Sequence, residues 1–143
     1  MSIFASDDFF EISLKYIEKT TNSGLKVPYI LNPEKESDKL ILQDKQDQVQ
    51  TLSTQWVHLK WKEQNEIRRK CTMMGMDGHR HVDYPMYQAL ILETAMRRWD
   101  IEENGKKIPC TKEFIGKLDP QIAIYLVEEY FLKTQITETD LGN

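Results

Sequence analysis

The half of the chain from Trp56 to Thr134 constrains the fold most, because its helix starts and turns are residue types with narrow conformational uses. Asp119-Pro120 marks a helix start. The carboxylate accepts a free amide hydrogen of the first turn, and proline sits where a backbone N–H would go unpaired. Ala123, Leu126, Val127 and Tyr130 then lie on one stripe, running down to Phe131. Asn104-Gly105 offers the two positive φ angles of a type I′ turn, so residues 100–109 are expected to form a small hairpin. Thr111 caps a short helical turn ending near Lys117.

The clearest helix is expected over Tyr84 to Trp99. Tyr87, Leu90, Ile91, Thr94, Ala95 and Trp99 share a face at helical spacing, and Pro85 suits its first turn. A charged helix over Glu63 to Thr72 precedes it, with Glu66 four residues before Lys70. The intervening stretch from Met73 to Val82, with two glycines, reads as a loop. Thr51 to Trp61 reads as a strand with Val57, Leu59 and Trp61 on one side and Trp56, His58 and Lys60 on the other. Trp61 is then a core residue, and Trp56 an outward-facing anchor of the kind favoured at interfaces.

In the first quarter, Phe10, Ile12, Leu14 and Tyr16 alternate with polar neighbours and predict a strand. A turn at Asn22-Ser23-Gly24 leads to a second strand over Leu25 to Leu31. Pro28 confines that strand to a sheet edge, since proline cannot donate to a ladder. Residues 32–50 are polar apart from Leu40-Ile41-Leu42 and read as a long exposed arm suited to docking. The tail over 135–143 is expected to fray.

The expected fold is therefore α+β: one domain, with a small antiparallel sheet from the N-terminal half packed against a C-terminal helical bundle. The acidic balance, −4 net, disfavours non-specific nucleic-acid binding, which needs a basic footprint. Two cysteines make no disulfide framework and suggest a reducing compartment. With neither a signal peptide nor a membrane-length apolar run, cytoplasmic residence is the default expectation.

Chemistry-bearing residues are present without a recognisable reaction centre. Cys71, His79, His81 and Cys110 are zinc-ligand types, but no pair has the usual ligand spacing. Cys71 closes a helix, where the dipole opposes a thiolate, and no nucleophile turn surrounds Cys110. Arg68, Arg69, Lys70, Arg80, Arg97 and Arg98 could form a basic patch for nucleic acid, set against the neighbouring acids. Phosphate-cradling glycine loops are missing from the sequence. No metal or cofactor is expected.

The segment Trp56-x4-Trp61-Lys62-Glu63-x-Asn65-Glu66-Ile67, followed by Arg98-Trp99-Asp100, Asn104-Gly105, Ile108-Pro109-x-Thr111-x-Glu113 and Leu118-x-Pro120, resembles small proteins of tailed-phage tail modules. It is similar to tail-assembly chaperones and related minor tail or baseplate-associated proteins, over residues 51–134. The resemblance implies a virus-encoded, non-enzymatic protein that binds tail tube, tape-measure or baseplate components. Such a protein works in the host cytoplasm during assembly or sits in the virion tail, with self-association as a homo-oligomer open to it. The residues expected at the contact are Trp56, His58, Leu40, Ile41 and Leu42. The rival expectations are a small regulatory nucleic-acid-binding protein and a small enzyme whose His79–His81 loop completes a site on dimerisation.

Overall fold

The alternating residues of the first quarter form the middle of a sheet. A computed structural model describes residues 2–135. In chain order these are β1 (Phe9–Thr20), β2 (Lys26–Ile30), α1 (Glu36–Asp44), a 3-10 turn (Gln46–Gln48), β3 (Gln50–Val57) and α2 (Trp61–Cys71). The chain continues through β4 (Thr72–Met74), β5 (Arg80–Val82), α3 (Tyr84–Ala95), β6 (Met96–Trp99), β7 (Glu102–Glu103), β8 (Lys106–Lys107), α4 (Lys112–Ile115) and α5 (Pro120–Thr134). The main sheet is antiparallel throughout, in the order β2-β1-β3-β6, and the fold is α+β. β2 is an edge strand, as Pro28 requires.

One face of the sheet carries the core. Ile12 and Leu14 of β1 and Leu52 and Trp56 of β3 meet Ile67 of α2, Ile91, Leu92 and Ala95 of α3, and Ile122, Leu126, Val127 and Tyr130 of α5. The Trp56 indole is fully buried and stacks on Tyr130 with centroids 5.4 Å apart; Phe10 stacks on the same ring at 6.0 Å. The polar edges of this cluster are paired. Trp56 Nε1 donates to Thr54 Oγ1 at 2.6 Å, Thr54 Oγ1 donates to the Ile12 carbonyl at 2.6 Å, and the Leu59 amide donates to the Tyr130 hydroxyl at 3.2 Å. Each buried polar group thus avoids the 1–3 kcal/mol or so that an unpaired one costs.

Several expectations need correction. The helix from Tyr84 stops at Ala95, because residues 96–99 pair with β3 as the fourth strand; Trp99 faces Thr54 across that ladder. The sheet therefore draws one strand from the C-terminal half. The Met73 to Val82 stretch is a β-hairpin.

The two tryptophans are exchanged relative to expectation. Leu52, Thr54 and Trp56 point inward, while Trp61 opens α2 and is 78% exposed. The strand ends at Val57, so period-2 alternation does not run on to Trp61. Glu63 reaches back to accept the Lys60 amide at 3.1 Å, which fixes the helix start.

Residues 32–50 are mostly exposed, as expected, but carry α1 and a 3-10 turn and so are not an extended arm. The anchor is Asp38, buried at 2% exposure. Its carboxylate accepts from the Tyr29 hydroxyl at 3.2 Å and the Asn32 amide at 2.9 Å. Tyr29 pairs with Ile17, which alternation places on the face opposite Tyr16, so α1 covers the sheet's other side. Asn104 (φ 53°) and Gly105 (φ 78°) form the expected turn between β7 and β8. Asp119 caps α5 by accepting the Gln121 amide at 2.9 Å. The frayed tail expected over 135–143 lies, from residue 136 on, outside the described residues. Among the described residues no helix is long and apolar enough to cross a membrane.

Candidate functional site: an exposed methionine hairpin

The most unusual surface is built where α2 runs without a break into β4. Thr72, the first strand residue, ties itself to the helix by donating from Oγ1 to the Arg68 carbonyl at 2.7 Å. The ladder pairs Thr72 with Val82, Met73 with His81 and Met74 with Arg80. It is continued at its base by the Asp83 amide donating to the Cys71 carbonyl at 2.8 Å. Beyond the base, all six strand residues are exposed on both faces. Met74 is 67% exposed and Met76, in the turn, wholly so; Met73 and Val82 are about half exposed. Tyr84 and Met86 at the start of α3 extend the apolar area.

The turn is held by its own polar groups. The Gly75 amide donates to the His79 carbonyl at 2.8 Å, and Asp77 Oδ1 accepts the His79 amide at 3.0 Å. His81 Nε2 lies 3.1 Å from both Asp77 oxygens. The His79 amide first, and His81 second, hold the Asp77 carboxyl below its ordinary value. Gly75 is required by close approach, since a Cβ there would fall 2.5 Å from the His81 ring and 2.7 Å from Asp77. The His81 ring is thereby packed against the turn. Cys71 is buried at the base of the hairpin and Cys110 is half-buried after β8. Burial raises both thiols, with Asp83 adding to the shift at Cys71, so neither favours a thiolate. Among the described residues no three His, Cys, Asp or Glu side chains are placed to share a metal ion.

Charge gathers at the same end. Arg68, Arg69 and Lys70 form the last turn of α2, and Arg80 lies across the ladder from Met74. Arg97 and Arg98 are not part of this group. They lie on β6, beyond the 12-residue α3, which at 1.5 Å per residue separates its ends by about 18 Å. Arg98 sits over the Phe9 ring, 5.4 Å from its centroid.

A smaller apolar surface lies at the other end of α2. Ile3 and Phe4 are 94% and 82% exposed beside the exposed Trp61. The segment is tethered by an ion pair of 2.8 Å between Lys60 Nζ and Asp7. Hydrogen bonding to the Lys60 ammonium lowers the Asp7 carboxyl, and the same contact raises Lys60.

A cleft of about 610 Å³ runs between the sheet, the β7–β8 hairpin and α4, with Tyr16, Gln50, Trp99, Asp100 and Phe114 in its walls. Its polar groups are largely committed. Asp100 accepts the Ser53 amide at 2.9 Å, and the Tyr16 hydroxyl donates to Gln50 at 2.8 Å. Neither His79 nor His81 lines it.

The residues expected at the contact are scattered. Trp56 is sealed in the core and cannot touch a partner, which corrects its expected outward face. His58 is half-buried between β3 and α2, Ile41 and Leu42 are half-buried in α1, and Leu40 alone is well exposed at 58%. The two glycines of this segment make it read as a loop, which masks its methionines. Three methionines within four positions, Met73 to Met76, was the available signal, since connecting segments are ordinarily polar. No family model, no curated protein and no solved structure matches this chain.

Proposed function

We propose that this chain is a non-enzymatic protein-binding component of a bacteriophage tail system. It acts on tube, tape-measure or baseplate proteins, as an assembly chaperone or as a part of the finished tail. The observation that carries the binding reading is the β4–β5 hairpin: large apolar side chains held in water on a fixed support, where contiguous exposed apolar area marks interaction sites. The tail assignment is supported by the resemblance over residues 51–134. The residues behind that resemblance are devices that shape this half of the molecule: the Glu63 contact at Lys60, the Asn104-Gly105 turn and the Asp119-Pro120 start.

Co-expression with the products of the neighbouring genes tests the proposal. A tail component that stays soluble and co-purifies only when this chain is present is the expected result. Failure of every neighbouring tail protein to gain solubility or to co-purify overturns it. Mass spectrometry of purified particles then separates the two forms, since a chaperone is absent from virions and a structural part is stoichiometric in them.

A further inference from the structure

The β4–β5 hairpin is uncovered on both faces. By register Thr72, Met74, Arg80 and Val82 share one face, and Met73 and His81 the other; all six are exposed. A lone two-stranded ribbon is marginal in water and gains stability by packing on something else. Its apolar residues are mostly methionine, whose unbranched thioether refits to irregular apolar partners.

The surrounding charge has a positive excess. Arg68, Arg69, Lys70 and Arg80 form no ion pair among the described residues. Of the carboxylates nearby, Asp77 is engaged with His79 and His81 and Asp83 with the Met86 amide, while exposed Glu66 lies one turn before Lys70 without forming an ion pair to it, so the four cations outnumber three carboxylates. Unpaired cations beside exposed methionines, on a chain of net charge −4, form a local surface opposite in sign to the rest of the molecule.

We infer that the β4–β5 hairpin, with the last turn of α2, binds an acidic amphipathic segment of a partner protein. The segment's large apolar side chains sit on Met74 and Val82 of one face and on Met76 at the turn, and its carboxylates meet Arg80 and the cations of the last turn of α2. Charge complementarity selects this occupant. Nucleic acid fits less well, because the whole chain is acidic and the surface, though it includes the exposed Tyr84 ring, is mostly methionine, which offers no π-face for base stacking. The inference rests on the protein-binding reading and adds the chemistry of what is bound.

The test uses the full chain and a random peptide library displayed on yeast, counter-selected against the doubly substituted M74E/R80E chain. Both substituted positions are exposed, and circular dichroism checks that the variant folds; Met76→Glu, in the turn, is the second variant. The expected selection is enriched in Asp and Glu together with Leu, Ile or Phe. The best peptide, synthesised, shifts the methionine methyl signals of Met74 and Met76 more than that of Met73 on the opposite face, and leaves that of buried Met96 in place. It also binds either variant about tenfold more weakly or worse. A selection enriched in Lys and Arg, or one with no dependence on the hairpin, overturns the inference. So does a DNA duplex that shifts the same methyl signals more strongly than the peptide. Capture of a tail component that survives M74E/R80E defeats this inference and leaves the tail reading standing. Hairpin-dependent peptide binding by a chain that captures no tail component does the reverse.

Discussion

Two hairpins project from this molecule, and they solve the problem of standing in water in opposite ways. The β7–β8 hairpin places Glu102 opposite Lys107 and Glu103 opposite Lys106, so each exposed pair is charged and of opposite sign. Its base is fastened by Trp99, whose Nε1 donates to the Ile108 carbonyl at 2.7 Å, and by the Ile108 amide donating to the Ile101 carbonyl at 2.9 Å. The β4–β5 hairpin exposes methionine and valine and is fastened at its base by its continuity with α2 and α3, the Thr72–Arg68 bond and the Asp83–Cys71 bond. The first is finished as a surface. The second is unfinished, which is the physical content of reading it as a docking element.

The contrast is broken most easily by asking whether the methionines are packed after all. Trp56→Ala, which empties the space beside Tyr130, sets the scale for a buried apolar group and is expected to cost about 3–5 kcal/mol. Met74→Ala, two-thirds exposed, is expected to cost about 0.5 kcal/mol or less. Urea denaturation of the two variants measures both. A Met74→Ala cost approaching that of Trp56→Ala would mean the hairpin is part of the core and has no free face to offer.

The same contrast explains what the sequence revealed and what it withheld. Asn104-Gly105 announced the charged hairpin, because positive φ at two successive positions is a demand few residues meet. Asp119-Pro120 announced α5 for a comparable reason. The methionine hairpin carried no such signal: its strands have three residues each, and methionine has no strong preference for a strand. The last turn expected of α3 was lost to β6, because Trp99 fits the helical stripe from Ala95 as well as it fits a strand facing Thr54. Only the presence of β3 alongside decides between them. The inward face of β3 depends on where the strand ends: it stops at Val57, and the next buried residue after Trp56 is Leu59, three positions on, so alternation does not carry through to Trp61. α1 was hidden in a polar stretch because its anchor is a carboxylate, Asp38, and burial of an aspartate depends on the distant Tyr29 hydroxyl and Asn32 amide. The candidate site was legible only as an anomaly, methionines where a polar connection belongs.

Two further substitutions sharpen the comparison at the charged hairpin. Gly105→Val meets open space, so its cost is the left-handed backbone alone, about 1–2 kcal/mol. A lowered thermal midpoint with β4–β5 chemical shifts unchanged is the expected outcome, and spread of the perturbation to β4–β5 would show the two hairpins to be coupled. Trp99→Phe keeps an aromatic group but loses part of the indole's packing together with its donor to Ile108, with an expected cost of about 1–2 kcal/mol. Faster amide exchange at Ile108, confined to the β7–β8 hairpin, is the measurement; unchanged exchange would mean that side-chain packing holds the hairpin and the indole hydrogen bond does not.

The smallest effect concerns pH and separates the hairpins by the kind of charge each carries. Asp77 has its carboxyl lowered from 3.8 by the His79 amide and then by His81, so the folded turn prefers the ionised form. The sign follows from linkage: a carboxyl with a depressed folded pKa adds stability that is present above 3.8 and is lost as pH falls through its lower folded value. The group is exposed, so solvent screening keeps the contribution small, and the signal is local opening of the turn with the core intact. Following the His79 amide resonance through an acid titration is expected to give a midpoint below 3.8, with the signals of Trp56 and Tyr130 unmoved over the same range. Replacing Asp77 with Asn abolishes that transition. A midpoint at or above 3.8 would show that the turn is held by its backbone hydrogen bonds without help from this carboxylate.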